Sequence, residues 1–99
     1  MTRELEFVRI PVASGRSREL VRAIEAARDG YLALPACTRV ELMISDGGDE
    51  VAAIITWTSA RAHANALKDP RAAQFFEIIA TFAIAAPEVR KYLPADYVA

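Results

Sequence analysis

The stretch TRVELMISDGGDEVAAIITWT (residues 38–58) decides the fold. Val40, Leu42 and Ile44 alternate with Glu41, Met43 and Ser45, the period of two that places successive side chains on opposite faces of a strand. Asp46-Gly47-Gly48-Asp49 then reads as a hairpin turn, because glycine accepts the positive φ that tight turns require. The return run, Val51-Ala52-Ala53-Ile54-Ile55-Thr56-Trp57, is apolar on both faces. Residues 38–45 and 51–58 are therefore expected to pair as antiparallel strands. A strand with two apolar faces needs cover on both sides. Helices can supply one side, and something else must supply the other.

Outward from the hairpin, residues 4–13 also alternate. Glu6, Val8, Ile10 and Val12 fall on one side, with Leu5, Phe7, Arg9 and Pro11 on the other. This predicts a strand ending near Pro11. Ser14-Gly15-Arg16-Ser17 supplies a turn, with Ser17 as the expected N-cap of a helix. Leu20, Ile24, Ala27, Tyr31 and Leu34 recur at helical spacing and predict an amphipathic helix that stops before Pro35. A further helix is expected from Ser59 to Leu67. Asp69-Pro70 then opens another, since proline is tolerated at the first helical position. That helix carries Ala72, Phe75, Phe76, Ile79 and Phe82 on its expected core face and ends before Pro87. Residues 88–93 predict a last short strand, and residues 94–99 a tail carrying Tyr97 and Val98.

The resulting order, strand, helix, strand, strand, helix, strand, is the split βαβ pattern of an α+β, ferredoxin-like βαββαβ sandwich. Its four-stranded antiparallel sheet has helices on one face only. The two-sided strand therefore leads us to expect a homodimer joined through the open sheet face. One domain spanning residues 1–99 is expected from the length.

Composition narrows the function classes. The chain is 54% hydrophobic and 25% charged, with a formal net charge of −1, so neither disorder nor the basic footprint of a nucleic-acid binder is expected. No apolar run reaches the roughly 18–20 residues of a membrane span. The acidic start, Met1-Thr2-Arg3-Glu4-Leu5-Glu6, lacks a secretory pattern, so a cytoplasmic protein is expected. Cys37 is the single cysteine and His63 the single histidine, too few for a structural zinc site, and no metal is expected. Phosphate-binding glycine loops, dinucleotide fingerprints and nucleophile triads are not evident in the sequence.

Three features together resemble the antibiotic biosynthesis monooxygenase family of dimeric α/β-barrel proteins. They are the strand, Ser14-Gly15-Arg16 and helix of residues 7–34; the strand pair closing on Trp57 before Thr58-Ser59-Ala60; and Asp69-Pro70 followed by Phe75-Phe76-Glu77-Ile78-Ile79 and Tyr92-Leu93-Pro94. The resemblance implies the fold derived above, and a barrel formed by two sheets meeting face to face. It implies an oxygenase that works without metal, flavin or other cofactor on a phenol, anthrone or polyketide-type substrate. Haem-degrading relatives are a poor match. The positions corresponding to their haem-packing tryptophan and histidine ligand are Ala66 and Phe76, and the first strand has no asparagine.

Four residues stand out as candidates. His63 is the sole side chain that ordinarily titrates near neutral pH, and the helical spacing points it towards the sheet, so it is the expected base or proton relay. Trp57 ends the central strand and can stack on an aromatic substrate. Tyr31 belongs to the apolar stripe of the first helix, with a hydroxyl that can reach a cavity. Arg9 sits mid-strand among apolar neighbours, where it can pair with Glu41 or Glu6 or hold a phenolate. Asn65 lies about 200° around the helix from His63 and should face solvent. Each of these residues also has a purely structural reading, in core packing or surface pairing. At the level of the whole chain, the alternatives to an oxygenase are a non-catalytic dimeric ligand-binding or accessory module, and an isomerase or decarboxylase using the same cavity.

Overall fold

The computed structural model describes residues 2–97. Val98, at the end of the expected tail, lies outside the described residues. The elements in chain order are β1 (Glu4–Pro11), α1 (Ser17–Leu32), β2 (Cys37–Ile44), β3 (Glu50–Trp57), α2 (Ala60–Ala66), α3 (Pro70–Phe82) and β4 (Glu88–Tyr92). A short 3-10 turn, Ala95–Tyr97, follows. The strands form one antiparallel sheet in the order β2-β3-β1-β4. This is the ferredoxin-like arrangement expected from the element order, with the second helical region split into α2 and α3 at the Asp69-Pro70 break.

Local chemistry explains the element boundaries. Gly48, at φ +73°, closes the β2–β3 turn in the left-handed region that only glycine adopts without strain. The Ser45 hydroxyl reinforces that turn, donating to Asp49 at 2.9 Å and accepting from the Glu50 backbone N–H at 3.0 Å. Ser59 caps α2 by accepting from the Ala62 N–H at 3.1 Å. Asp69 caps α3 by accepting from the Arg71 N–H at 2.9 Å, with Pro70 just inside.

Some expectations shift. Ser17 is the first helical residue of α1 and not its cap: Arg16 occupies the cap position and makes no side-chain cap bond. The helix α3 ends at Phe82, well before Pro87, because the chain turns extended at Ala83 to bridge back to Val12. Phe76 is not on the core face. It stands about 100° around the helix from Phe75 and is 40% exposed, whereas Ala72, Phe75 and Ile79 are buried.

The core lies between the helices and one face of the sheet. Leu20, Ile24 and Tyr31 of α1 meet Val8 and Ile10 of β1, Ala53, Ile55 and Trp57 of β3, and Phe75 and Ile79 of α3. The pleat carries alternate residues to the opposite face, where Leu5, Phe7, Ala52 and Ile54 make an apolar strip with no helix over it. Arg9 lies on that open face. It donates to Glu50 at 2.9 Å and to Glu88 at 3.3 Å, and not to Glu41 or Glu6 as expected. Strand register decides this. Arg9 sits directly opposite Glu88 across the β1–β4 pair, Glu50 is its diagonal neighbour on β3, and Glu6 points through the sheet to the other side. Among the described residues, no helix is long and apolar enough to cross a membrane.

Candidate functional site

A polar cluster is sealed inside the otherwise apolar core, where α2 crosses the ends of β1 and β3. It is built from Glu4 and Glu6 of β1, Trp57 of β3 and His63 of α2. These four residues are respectively 4%, 3%, 0% and 1% exposed, so water does not share their interactions. Each is delivered by its element's own period. Glu4 and Glu6 continue the core-facing alternation of Val8 and Ile10, and Trp57 continues that of Val51, Ala53 and Ile55. His63 is the one buried side chain of α2, where the Ser59 cap fixes the angle at which the helix leaves the sheet.

The rings of Trp57 and His63 stack, with centroids 4.2 Å apart and planes 8° from parallel. His63 Nδ1 lies 2.5 Å from Glu4 Oε1. On the other side of the imidazole, Nε2 lies 3.5 Å from Glu6 Oε1, and among the described residues it has no hydrogen-bond partner. Glu6 Oε1 in turn accepts from the Trp57 indole N–H at 3.1 Å. Two carboxylates thus face one imidazole inside the core. Such an arrangement persists only when geometry compensates the lost hydration.

Tyr31 completes the aromatic group. Its ring stacks on Phe75 at 4.3 Å and meets the edge of Trp57 at 5.5 Å. Its hydroxyl is buried and has no hydrogen-bond partner among the described residues. Burial pushes that hydroxyl well above the ordinary tyrosine value, and the nearby Glu6 and Cys37 add to the effect. Cys37, opposite Trp57 across the β2–β3 pair, is buried too, and desolvation raises its thiol in the same direction.

Directly beside this cluster an open groove of about 350 Å³ runs between α2 and the segment leading into β2. Leu34, Pro35, Ala36, Ala62 and Ala66 form its apolar walls, and Thr58, Asn65 and Asp69 supply polar groups. Asn65 is exposed, on the side of α2 away from His63, as the helical spacing predicted. Ala62 and Ala66 belong to the same two turns of helix as His63. The groove therefore lies against a neighbouring face of the helix that carries His63.

The structure brings together three of the four candidate residues, His63, Trp57 and Tyr31. It does not bring in Arg9, which is exposed on the far side of the sheet. It adds Glu4 and Glu6, which the sequence reading did not propose for the site. The available signal was the placement of Glu6 on the same strand side as Val8, Ile10 and Val12. A charged residue in a core-facing register demands a buried partner.

Neither a family model nor a curated protein matches this chain. Solved structures do. A candidate antibiotic biosynthesis monooxygenase from Bordetella bronchiseptica superposes with a TM-score of 0.85 at 15% identity, covering 96% of this chain and 99% of that one. A monooxygenase from the gene ActVA-Orf6 of Streptomyces coelicolor, solved with the ligand Nanaomycin D, gives 0.84 at 19% identity, covering 94% and 88%. A candidate antibiotic biosynthesis monooxygenase from Nitrosomonas europaea gives 0.81 at 11% identity, covering 94% and 90%. This chain has their fold. The resemblance read from Trp57 and the Asp69-Pro70 helix is thereby supported by structures that match over nearly their whole length. Identities this low carry the architecture and leave the chemistry to the residues of this chain.

Proposed function

We propose that this protein is a monooxygenase-like enzyme that oxidises a small phenol or anthrone with O₂, without metal or flavin. The observation that carries the reading is His63. It is the sole histidine, buried and stacked on Trp57, with Nδ1 engaged by Glu4 and Nε2 left without a hydrogen bond, on a helix whose neighbouring face lines a ligand-sized groove through Ala62 and Ala66. A base oriented through one nitrogen and free at the other is the arrangement that general-base catalysis requires. In this reading Nε2 takes a proton from the activated C–H or O–H of the substrate. The resulting carbanion passes an electron to O₂, the oxygen adds to the ring carbon, and loss of water leaves a carbonyl. The protein contributes orientation and a dry site for the developing anion. The substrate enters by displacing α2, a seven-residue helix whose only buried side chain is His63 itself.

The reading includes a homodimer formed through the open sheet face. Its support is the uncovered strip of Leu5, Phe7, Ala52 and Ile54, rimmed by the Arg9–Glu50 and Arg9–Glu88 pairs. Light scattering of the wild type and of Phe7→Glu tests it: the wild type should be a dimer and the variant a monomer. A wild-type monomer at micromolar concentration would rule the dimer out.

One observation favours a second reading, a non-catalytic binding module. His63 and Trp57 do not line the groove, so a ligand bound there without movement of α2 meets Leu34, Pro35, three alanines, Thr58, Asn65 and Asp69. Oxygen uptake separates the two readings. A panel of phenols and anthrones should give saturable O₂ consumption with the wild type, and His63→Gln should reduce it by a factor of at least about 100. Binding of panel members without O₂ consumption would select the module.

A further inference from the structure

The functional reading takes Glu4 only as the partner of Nδ1 and leaves Glu6 unused. Glu4 and Glu6 are two residues apart on β1, point the same way, and are each less than 5% exposed. Each holds one ring of the stack. Glu4 Oε1 lies 2.5 Å from Nδ1 of His63, and Glu6 Oε1 accepts the Trp57 indole N–H at 3.1 Å. A core made only for stability has no need of this arrangement, because apolar side chains of similar volume usually serve as well as, or better than, buried charges. The groups facing His63 are few: Glu4 and Glu6 from β1 and Trp57 from β3, with Tyr31 of α1 reaching the far edge of Trp57.

We propose that Glu4 and Glu6 are a pair of positioning residues, one for each ring of the His63–Trp57 stack. Glu4 keeps a ring proton on Nδ1, which makes Nε2 the nitrogen that exchanges protons with substrate. Glu6 holds the indole parallel to the imidazole and keeps Trp57 from swinging across Nε2. The inference rests on the functional reading for what the site acts upon, but the arrangement itself can be tested without any substrate.

The chain has one histidine and one tryptophan, so imidazole and indole resonances in a tag-free sample need no assignment by mutation. Long-range ¹H–¹⁵N correlation spectra of the wild type at neutral pH should show Nδ1 carrying a proton. Glu4→Gln replaces a charged acceptor by a neutral one and should raise the share of the tautomer with a bare Nδ1 roughly tenfold. Glu6→Gln should leave Nδ1 protonated and shift only the Trp57 indole N–H. A wild-type Nδ1 without a proton would overturn the inference, as would a Glu4→Gln spectrum identical to the wild type. If Glu4→Gln does not fold, the wild-type spectrum alone still decides. With a substrate from the panel, Glu4→Gln should lower kcat at unchanged KM, and an unchanged kcat would also overturn the proposal. Absence of O₂ uptake by the wild type would defeat the functional reading while leaving the spectral result to stand.

Discussion

The buried pair of Glu4 and His63 makes a quantitative prediction about stability. Replacing His63 by Leu leaves the Glu4 carboxylate at 4% exposure with its 2.5 Å partner gone, and replacing Glu4 by Leu strands the imidazole at 1% exposure. Removing one member of a buried pair costs about 3–5 kcal/mol, a large part of the roughly 5–15 kcal/mol that holds a small domain together. Removing both leaves two apolar side chains in contact beside Glu6, which keeps the Trp57 indole hydrogen bond at 3.1 Å, and replacing a buried pair in this way is commonly close to neutral. Independent effects would sum to about 6–10 kcal/mol in the double variant, whereas the structure predicts a loss below about 2 kcal/mol. Urea unfolding at 25 °C, followed by far-ultraviolet circular dichroism, measures all four corners of the cycle. Trp57 fluorescence gives a second probe at the centre of the cluster. A double variant whose loss equals the sum of the singles within about 0.5 kcal/mol would refute the reasoning, because residues that do not interact behave additively.

Three further outcomes follow from the geometry. Phe75→Ala removes a ring that is 1% exposed and stacked on Tyr31, and should cost about 3–5 kcal/mol in the same urea assay. Arg71 holds the Asp69 carboxyl down to about 2, from an ordinary 3.8. Its contribution is thus complete above the unfolded value and lost as pH falls towards 2, so Asp69→Asn should lower stability at neutral pH, leave it unchanged at the acid end, and flatten the acid limb of a circular-dichroism titration in that window. Cys37 is 5% exposed, with its thiol raised by burial, so disulfide reagents at pH 8 should modify native protein at least about a thousandfold more slowly than urea-unfolded protein.

Much of the architecture was legible because it rests on local rules. The alternation of Val8, Ile10 and Val12, the glycine turn at Gly47-Gly48, and Asp69-Pro70 each act within a few residues, and each marks the element it was expected to mark. His63 was correctly aimed at the sheet by helical spacing alone. The site itself was less legible because its partners are distant in the chain: Glu4 lies 59 residues from His63, and Glu6 lies 51 from Trp57. Alternation placed Glu6 on the inward side, but the reason for a charge there appears only when α2 is laid over the sheet. Arg9 shows the same limit in reverse. Its open face follows from the pleat, while its partners Glu50 and Glu88 follow from strand order. Phe76 was misplaced by one helical step, because two adjacent phenylalanines cannot both occupy a narrow buried stripe beside α1.

In the proposed enzyme the groove and the sealed His63–Trp57 stack are one site, opened by movement of α2. Trp57 is the only tryptophan, so titrating its fluorescence with the phenol and anthrone panel reports directly on whether a ligand reaches the stack. The account predicts saturable quenching by the same compounds that support O₂ uptake. It also predicts affinity weakened at least about tenfold by Ala66→Phe, which fills the groove wall. Saturable O₂ uptake with Trp57 emission unchanged, and with Ala66→Phe behaving as wild type, would contradict it and put the chemistry elsewhere on the molecule.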